Sequence, residues 1–75
     1  MDYRALAKKK NPFEGLSEDE AVRMHVYFGF VAEPHMTDEE IFRRWGHCLP
    51  FNRQLQLGQA MMMAIEIEAE LARGY

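Results

Sequence analysis

His25, His35, His47 and Cys48 are the side chains whose types first raise the question of a metal or a nucleophile. A structural zinc site takes its ligands in close pairs, such as C-x2-C or H-x3-H, so that one short turn delivers two donors to the same ion. Here successive histidines stand ten and twelve positions apart. His47 and Cys48 are adjacent, and adjacent side chains seldom reach one ion. The spacing predicts no metal and no other cofactor. The same pair offers a thiol beside an imidazole, but a working nucleophile needs its base within hydrogen-bond reach and a third group to orient that base. Neighbours along a chain generally point apart, so Cys48 reads as an ordinary small buried cysteine in a link between helices. No catalytic residue is expected and the chain is read as non-enzymatic.

The carboxylates give no stronger case for catalysis. Glu66, Glu68 and Glu70 alternate near the C-terminus, and Glu66 and Glu70 share the polar side of a helix, which usually means a solvated face. Glu68 falls between apolar positions, and burial there would require an arginine or lysine partner.

The stretch from Thr37 to Met61 has a helix-turn-helix cast. TDEEIFRRWG would be the first helix, HCLPF the turn and NRQLQLGQAM the reader, with Arg53, Gln54 and Gln56 of types that contact base edges. Against it, the turn exceeds the usual three or four residues, and the reader continues into acidic sequence. Phosphate contacts dominate affinity for nucleic acid. Residues 17–75 carry five arginines against ten carboxylates, while residues 1–16 carry Arg4, Lys8, Lys9 and Lys10 against Asp2 and Glu14. An acidic body points away from nucleic acid and toward a basic protein partner. DNA-binding regulation is therefore the alternative rather than the leading reading.

Lys8-Lys9-Lys10 is too short a basic run to anchor the chain on a membrane. Asn11-Pro12-Phe13 resembles the tripeptide read by EH domains. The likeness covers three residues, and a turn ahead of a buried phenylalanine explains them equally, so no function is carried over.

Several elements must position these residues. The chain has 75 residues, nearly half of them apolar, and one cysteine. That composition suits a packed domain rather than disorder, yet a core this small is marginal and intrachain disulfides are excluded. Asp2 to Lys9 could form a short helix, broken by Asn11-Pro12 and stopped at Gly15. Ser17 and Glu20 then form a capping box, with Glu18 and Asp19 in the first turn. The helix they open is expected to run to about Glu33, ahead of Pro34. Its middle, residues 24–31, has strand-favouring composition, but Ala21, Met24, Phe28 and Val31 hold helical spacing. Thr37 and Glu40 form a second capping box that opens a short helix, Asp38 to Trp45, with Met36 and Ile41 placed for a hydrophobic staple. Gly46 stands where a left-handed helix stop belongs. A final helix is expected from Asn52, its cap, to Arg73.

The final helix is the most informative element. Leu57, Ala60, Ala64, Ile67 and Leu71 fall on one stripe. Leu55, Gly58, Met62, Ile65, Ala69 and Ala72 fall on a second, nearly opposite. The aromatics Phe28, Phe42, Trp45 and Phe51 are expected to cover the first stripe. Nothing in so short a chain is left to cover the second. Met61-Met62-Met63 spans more than half of the helix circumference, so at least one methionine must face away from the core.

The expected fold is all-α, a small three-helix bundle, or four-helix with the N-terminal segment, ending in a long C-terminal helix. Residues 1–16 are read as a partly irregular N-terminal segment and 17–75 as the helical domain. The expected role is protein binding by a helical homodimer. Leu55, Gly58, Met62, Ile65, Ala69 and Ala72 would form the contact, and Glu18, Asp19, Asp38 and Glu39 an acidic face toward a partner. Size and composition, without any motif, match small phage or mobile-element proteins, such as viral inhibitors or adaptors of a host protein. A structural subunit of a larger particle is a further alternative. No apolar run spans a membrane, and MDYRALAKKK has charges without an apolar stretch behind them. A cytoplasmic location is expected, that of the host if the chain is phage-encoded.

Overall fold

The computed structural model describes residues 1–48 and 56–74. Among them are four α-helices and no strand: α1 (Tyr3–Ala7), α2 (Glu18–Val26), α3 (Asp38–Trp45) and α4 (Leu57–Ala72). A π-helical turn, Tyr27–Val31, continues α2. The fold is the expected small all-α bundle, and the ambiguous 24–31 stretch is helical.

Local chemistry sets the helix ends. The Ser17 hydroxyl accepts from the Glu20 amide at 3.2 Å, and the Glu20 carboxylate accepts from the Ser17 amide at 3.0 Å. Donation from the Ser17 amide, and secondarily from its hydroxyl, holds the Glu20 carboxyl below its ordinary range. At α3 the Thr37 hydroxyl accepts from the Glu40 amide at 3.2 Å, but the Glu40 carboxylate does not accept from the Thr37 amide, so the expected second box is only half formed. Gly46, at φ 70°, closes α3 by donating to the Phe42 carbonyl at 2.7 Å, a geometry that favours a residue without Cβ. α2 ends earlier than the expected Glu33. Its last turn widens, the Ala32 amide donating to the Tyr27 carbonyl at 2.8 Å, five residues back. Ala32 is then extended, and the Met36 amide returns to the Phe28 carbonyl at 2.9 Å. The chain thus folds back beside Gly29, where an added Cβ would stand 3.6 Å from the Met36 carbonyl oxygen.

α4 also begins later than expected. Gln56 is extended, and the helix starts at Leu57 rather than at Asn52. Asn52 itself, with Leu55 and Phe51, lies outside the described residues. Gln56, placed in the reader on sequence, precedes α4 instead.

The core consists of Tyr3, Met24, Val26, Tyr27, Phe28, Ile41, Ala60, Ala64 and Ile67. α4 lays Ala60, Ala64 and Ile67 against α2 and the π-turn. Two alanines at this contact let the backbones approach closely, and Ile67 fills the remaining space with no exposed surface. The expected cover by α3 aromatics is only partly realised. Ile41 and Trp45, four residues apart, take the inward face of α3. Phe42, a further 100° round the helix, is 57 % exposed. Leu57 is also turned out, at 68 % exposure, because it opens α4 at the edge of the π-turn's cover.

The N-terminal segment belongs to this core. The Asp2 carboxylate accepts from the Ala5 amide and caps α1. Tyr3 is fully buried and stacks on Tyr27, with ring centroids 5.4 Å apart. Pro12 is buried too, and Phe13 lies against Phe28 and Trp45 at 6.0 and 5.7 Å. The Trp45 indole donates to the Lys10 carbonyl at 3.1 Å. Asn11-Pro12-Phe13 is thus a turn facing inward, with the Asn11 side chain accepting from the Phe13 amide. Burial predicts a sharp contrast between two aromatics. Tyr3→Ala should lower the free energy of unfolding by about 3–5 kcal/mol, and Phe42→Ala by less than about 0.5 kcal/mol, as measured by denaturant titration.

Candidate functional site

α4 presents two faces of opposite character. Toward the core it places Ala60, Ala64 and Ile67. Outward it places Gly58, Met62, Ile65, Ala69 and Ala72, each exposed. Leu57 and Met61 extend this outer face by one flank. Leu57, Met61, Met62 and Ile65 are 68, 53, 68 and 66 % exposed. Four large apolar side chains within nine residues make a patch on the order of several hundred Å², comparable to the largest patch on a typical monomer, which is often functional. Of the three consecutive methionines, Met61 and Met62 face out, and Met63 packs at the margin of the core.

At its C-terminal end this face borders a groove of about 490 Å³. Leu71 and Ala72 of α4 form one wall, and Tyr27, Val31 and Ala32 of the π-turn form the other. Arg4, Glu33 and Glu68 stand at its rim. Glu68 is exposed rather than buried.

The other two glutamates of α4 turn to α2. Arg23 reaches Glu66 at 3.4 Å, an exposed pair worth at most about 1 kcal/mol. The Tyr3 hydroxyl, Arg23 Nη1 and Glu70 Oε2 are all shut off from solvent nearby without a hydrogen bond of regular geometry. Burial raises the Tyr3 pKa, the Glu70 carboxylate raises it further, and Arg23 opposes the rise. The three residues tie α1, α2 and α4 together.

The acidic residues singled out by sequence are all exposed. Glu18 and Asp19 sit in the first turn of α2, Asp38 and Glu39 in that of α3. There they complement the helix dipole. Asp38 also engages a buried side chain, since its carboxylate lies 2.7 Å from His25 Nε2.

That contact is one the sequence reading missed. His25 is 6 % exposed, between buried Met24 and Val26. A histidine between core residues must find a polar partner, and the signal was there in its neighbours. The His47 ring stacks on Phe13 at 4.0 Å and lies 5.5 Å from His25. His25 Nδ1 and His47 Nε2 are buried without hydrogen-bond partners. Burial lowers the His47 pKa, and the neighbouring His25 lowers it further. Cys48 is exposed, and His35 lies in the exposed link before α3. Among the described residues no three histidine, cysteine or acidic side chains converge in a way that could hold a metal ion, and no helix is long and apolar enough to cross a membrane.

The lowered His47 pKa sets a pH dependence. The folded chain favours the neutral ring, so the unfolded chain binds more protons as the solution acidifies. This contribution to stability is complete above the ordinary histidine pKa of 6.5 and is lost as pH falls through the lower folded value. Trp45 fluorescence during denaturant titration at successive pH values should show stability dropping below about pH 6.5. His47→Phe, which keeps a ring against Phe13, should flatten that slope. An unchanged slope in the variant would assign it to other groups.

No family model, curated protein or solved structure matches the chain.

Proposed function

We propose that the chain is a non-catalytic protein-interaction module that pairs with a second copy of itself through the outer face of α4. The observation that carries this reading is the contiguous apolar patch of Leu57, Met61, Met62 and Ile65 on a helix whose opposite face is already buried. Burying one such side chain stabilises a contact by roughly 1.5–3 kcal/mol. In a domain of this size, a few of them shift the balance between folded and unfolded chain. Methionines suit such a surface because their flexible, polarisable side chains adapt to the opposing shape. An adaptor or inhibitor role toward a basic partner protein fits the acidic body, with Glu18, Asp19 and Glu39 exposed for it.

Sedimentation at micromolar concentration tests the reading. The wild-type chain should be a dimer. Ile65→Glu, which places a charge at the centre of the patch, should be a monomer of lower thermal stability than the wild type. A monomeric wild type would overturn self-association.

A further inference from the structure

Spacing along the chain argues against a metal, but the fold brings together two imidazoles that the spacing keeps apart. His25, near the end of α2, and His47, just past α3, have ring centres 5.5 Å apart at a tilt of 55°. His25 is 6 % exposed, and its Nε2 lies 2.7 Å from the Asp38 carboxylate. An ionised carboxylate only accepts, so Nε2 carries the proton, and the neutral ring keeps a bare lone pair on Nδ1. That Nδ1 is buried without a hydrogen-bond partner, and so is Nε2 of His47. Unpaired buried nitrogens are costly unless a donor or an electrophile meets them. We propose that Nδ1 of His25 and Nε2 of His47 together bind one divalent transition-metal ion of the zinc class, with solvent completing its shell. The site is separate from the outer face of α4, so the failure of one leaves the other standing.

The chemistry of the pair suits such an ion. Imidazole nitrogen is a donor that zinc, copper and nickel favour. Two imidazoles on one tetrahedral ion, at Zn–N lengths of about 2.0–2.1 Å, hold their ring centres roughly 5 Å apart, close to the separation of these two. A ligating ring must be neutral, and burial favours the neutral form of His47. Ligating histidines usually donate their second N–H to a carboxylate or carbonyl, which fixes the tautomer and strengthens the donor. Asp38 stands in that position behind His25. Among the described residues no third histidine, cysteine or acidic side chain joins the pair to complete a metal cage. His47 is only part-buried and Cys48 after it is exposed, so solvent has access from that side. The site is therefore open, unlike the closed four-ligand site of a structural zinc.

Zn²⁺ titration of the full chain carrying Cys48→Ser, at about pH 7.5 where histidine is neutral, tests the site without a thiol. Calorimetry should give one ion per chain, and bound Zn²⁺ should raise the thermal midpoint. Asp38→Asn, which weakens the acceptor behind His25, should cost about 10–100-fold in affinity. His47→Phe should abolish the saturable phase, while His35→Gln, at an exposed histidine, should leave it unchanged. In long-range ¹H–¹⁵N spectra, Nδ1 of His25 and Nε2 of His47 should both move to the position of a metal-bound imidazole nitrogen. No saturable binding by the folded chain would overturn the proposal and leave a bridging water as the occupant. Binding that survives His47→Phe, or that shifts His35 instead of the pair, would overturn it equally.

Discussion

The structure depends on the contact between α4 and the end of α2. Ala60, Ala64 and Ile67 offer a flat stripe, and Val26, Tyr27 and Phe28 lie buried where the helix widens into a π-turn. A π-turn adds a residue to one turn and rotates the chain beyond it. Met24 to Phe28 are five consecutive buried residues, so the end of α2 and the start of the π-turn are covered on every side. Tyr27 holds α1 through its stack on Tyr3, and Phe28 holds the α3 side through its stack on Trp45 at 4.8 Å. One irregular turn thus anchors three helices at once, while α4 closes over it.

The same constraint leaves the rest of α4 uncovered. α1 has five residues and α3 eight. α1 reaches α4 through Tyr3 near Glu70, and α3 turns its inward residues toward the histidine and aromatic side. Neither is long enough to wrap round α4. The chain has enough apolar surface for a second face but no described element free to meet it. The outer face is therefore a consequence of how few elements the fold has, and of the sequence continuing to place isoleucine and methionine where solvent would favour charge.

Much of this architecture was legible in the sequence because local chemistry decides it. Ser17 and Glu20 mark a helix start, and Gly46 a helix stop, whatever surrounds them. The two stripes of α4 follow from spacing alone, and residues 58–72 keep that division. The rest was not legible because it depends on tertiary contact. Tyr3 reads as part of an irregular tail until Tyr27 is beside it. Phe42 reads as core until Ile41 and Trp45 are seen to fill the inward face. Leu57 matches the inner stripe by angle, yet it stands exposed at the start of the helix. His25 and Asp38 stand thirteen residues apart with no motif between them, and only the return of the chain at Met36 brings them together.

The histidines give the aromatic side of the fold a different character from the α4 side. Around α4 the buried residues are apolar aliphatics and aromatics without an imidazole, and the nearby charges are exposed or tied to Arg23. Around Phe13, by contrast, an imidazole takes the place that a phenyl ring could fill. Phe13 connects the N-terminal segment to His47 by the ring stack, and Trp45 connects it again through Lys10. His25 connects α2 to the start of α3 through Asp38. Protonating His47 places a cation against the Phe13 ring at 4.0 Å and 5.5 Å from His25, whose Nε2 already engages the Asp38 carboxylate. Acid therefore acts first on the packing of residues 10–13 against α3. The α4 contact, built from Ala60, Ala64 and Ile67 on Val26, Tyr27 and Phe28, contains no imidazole, so acid reaches it through Phe28, which packs on both Phe13 and Trp45.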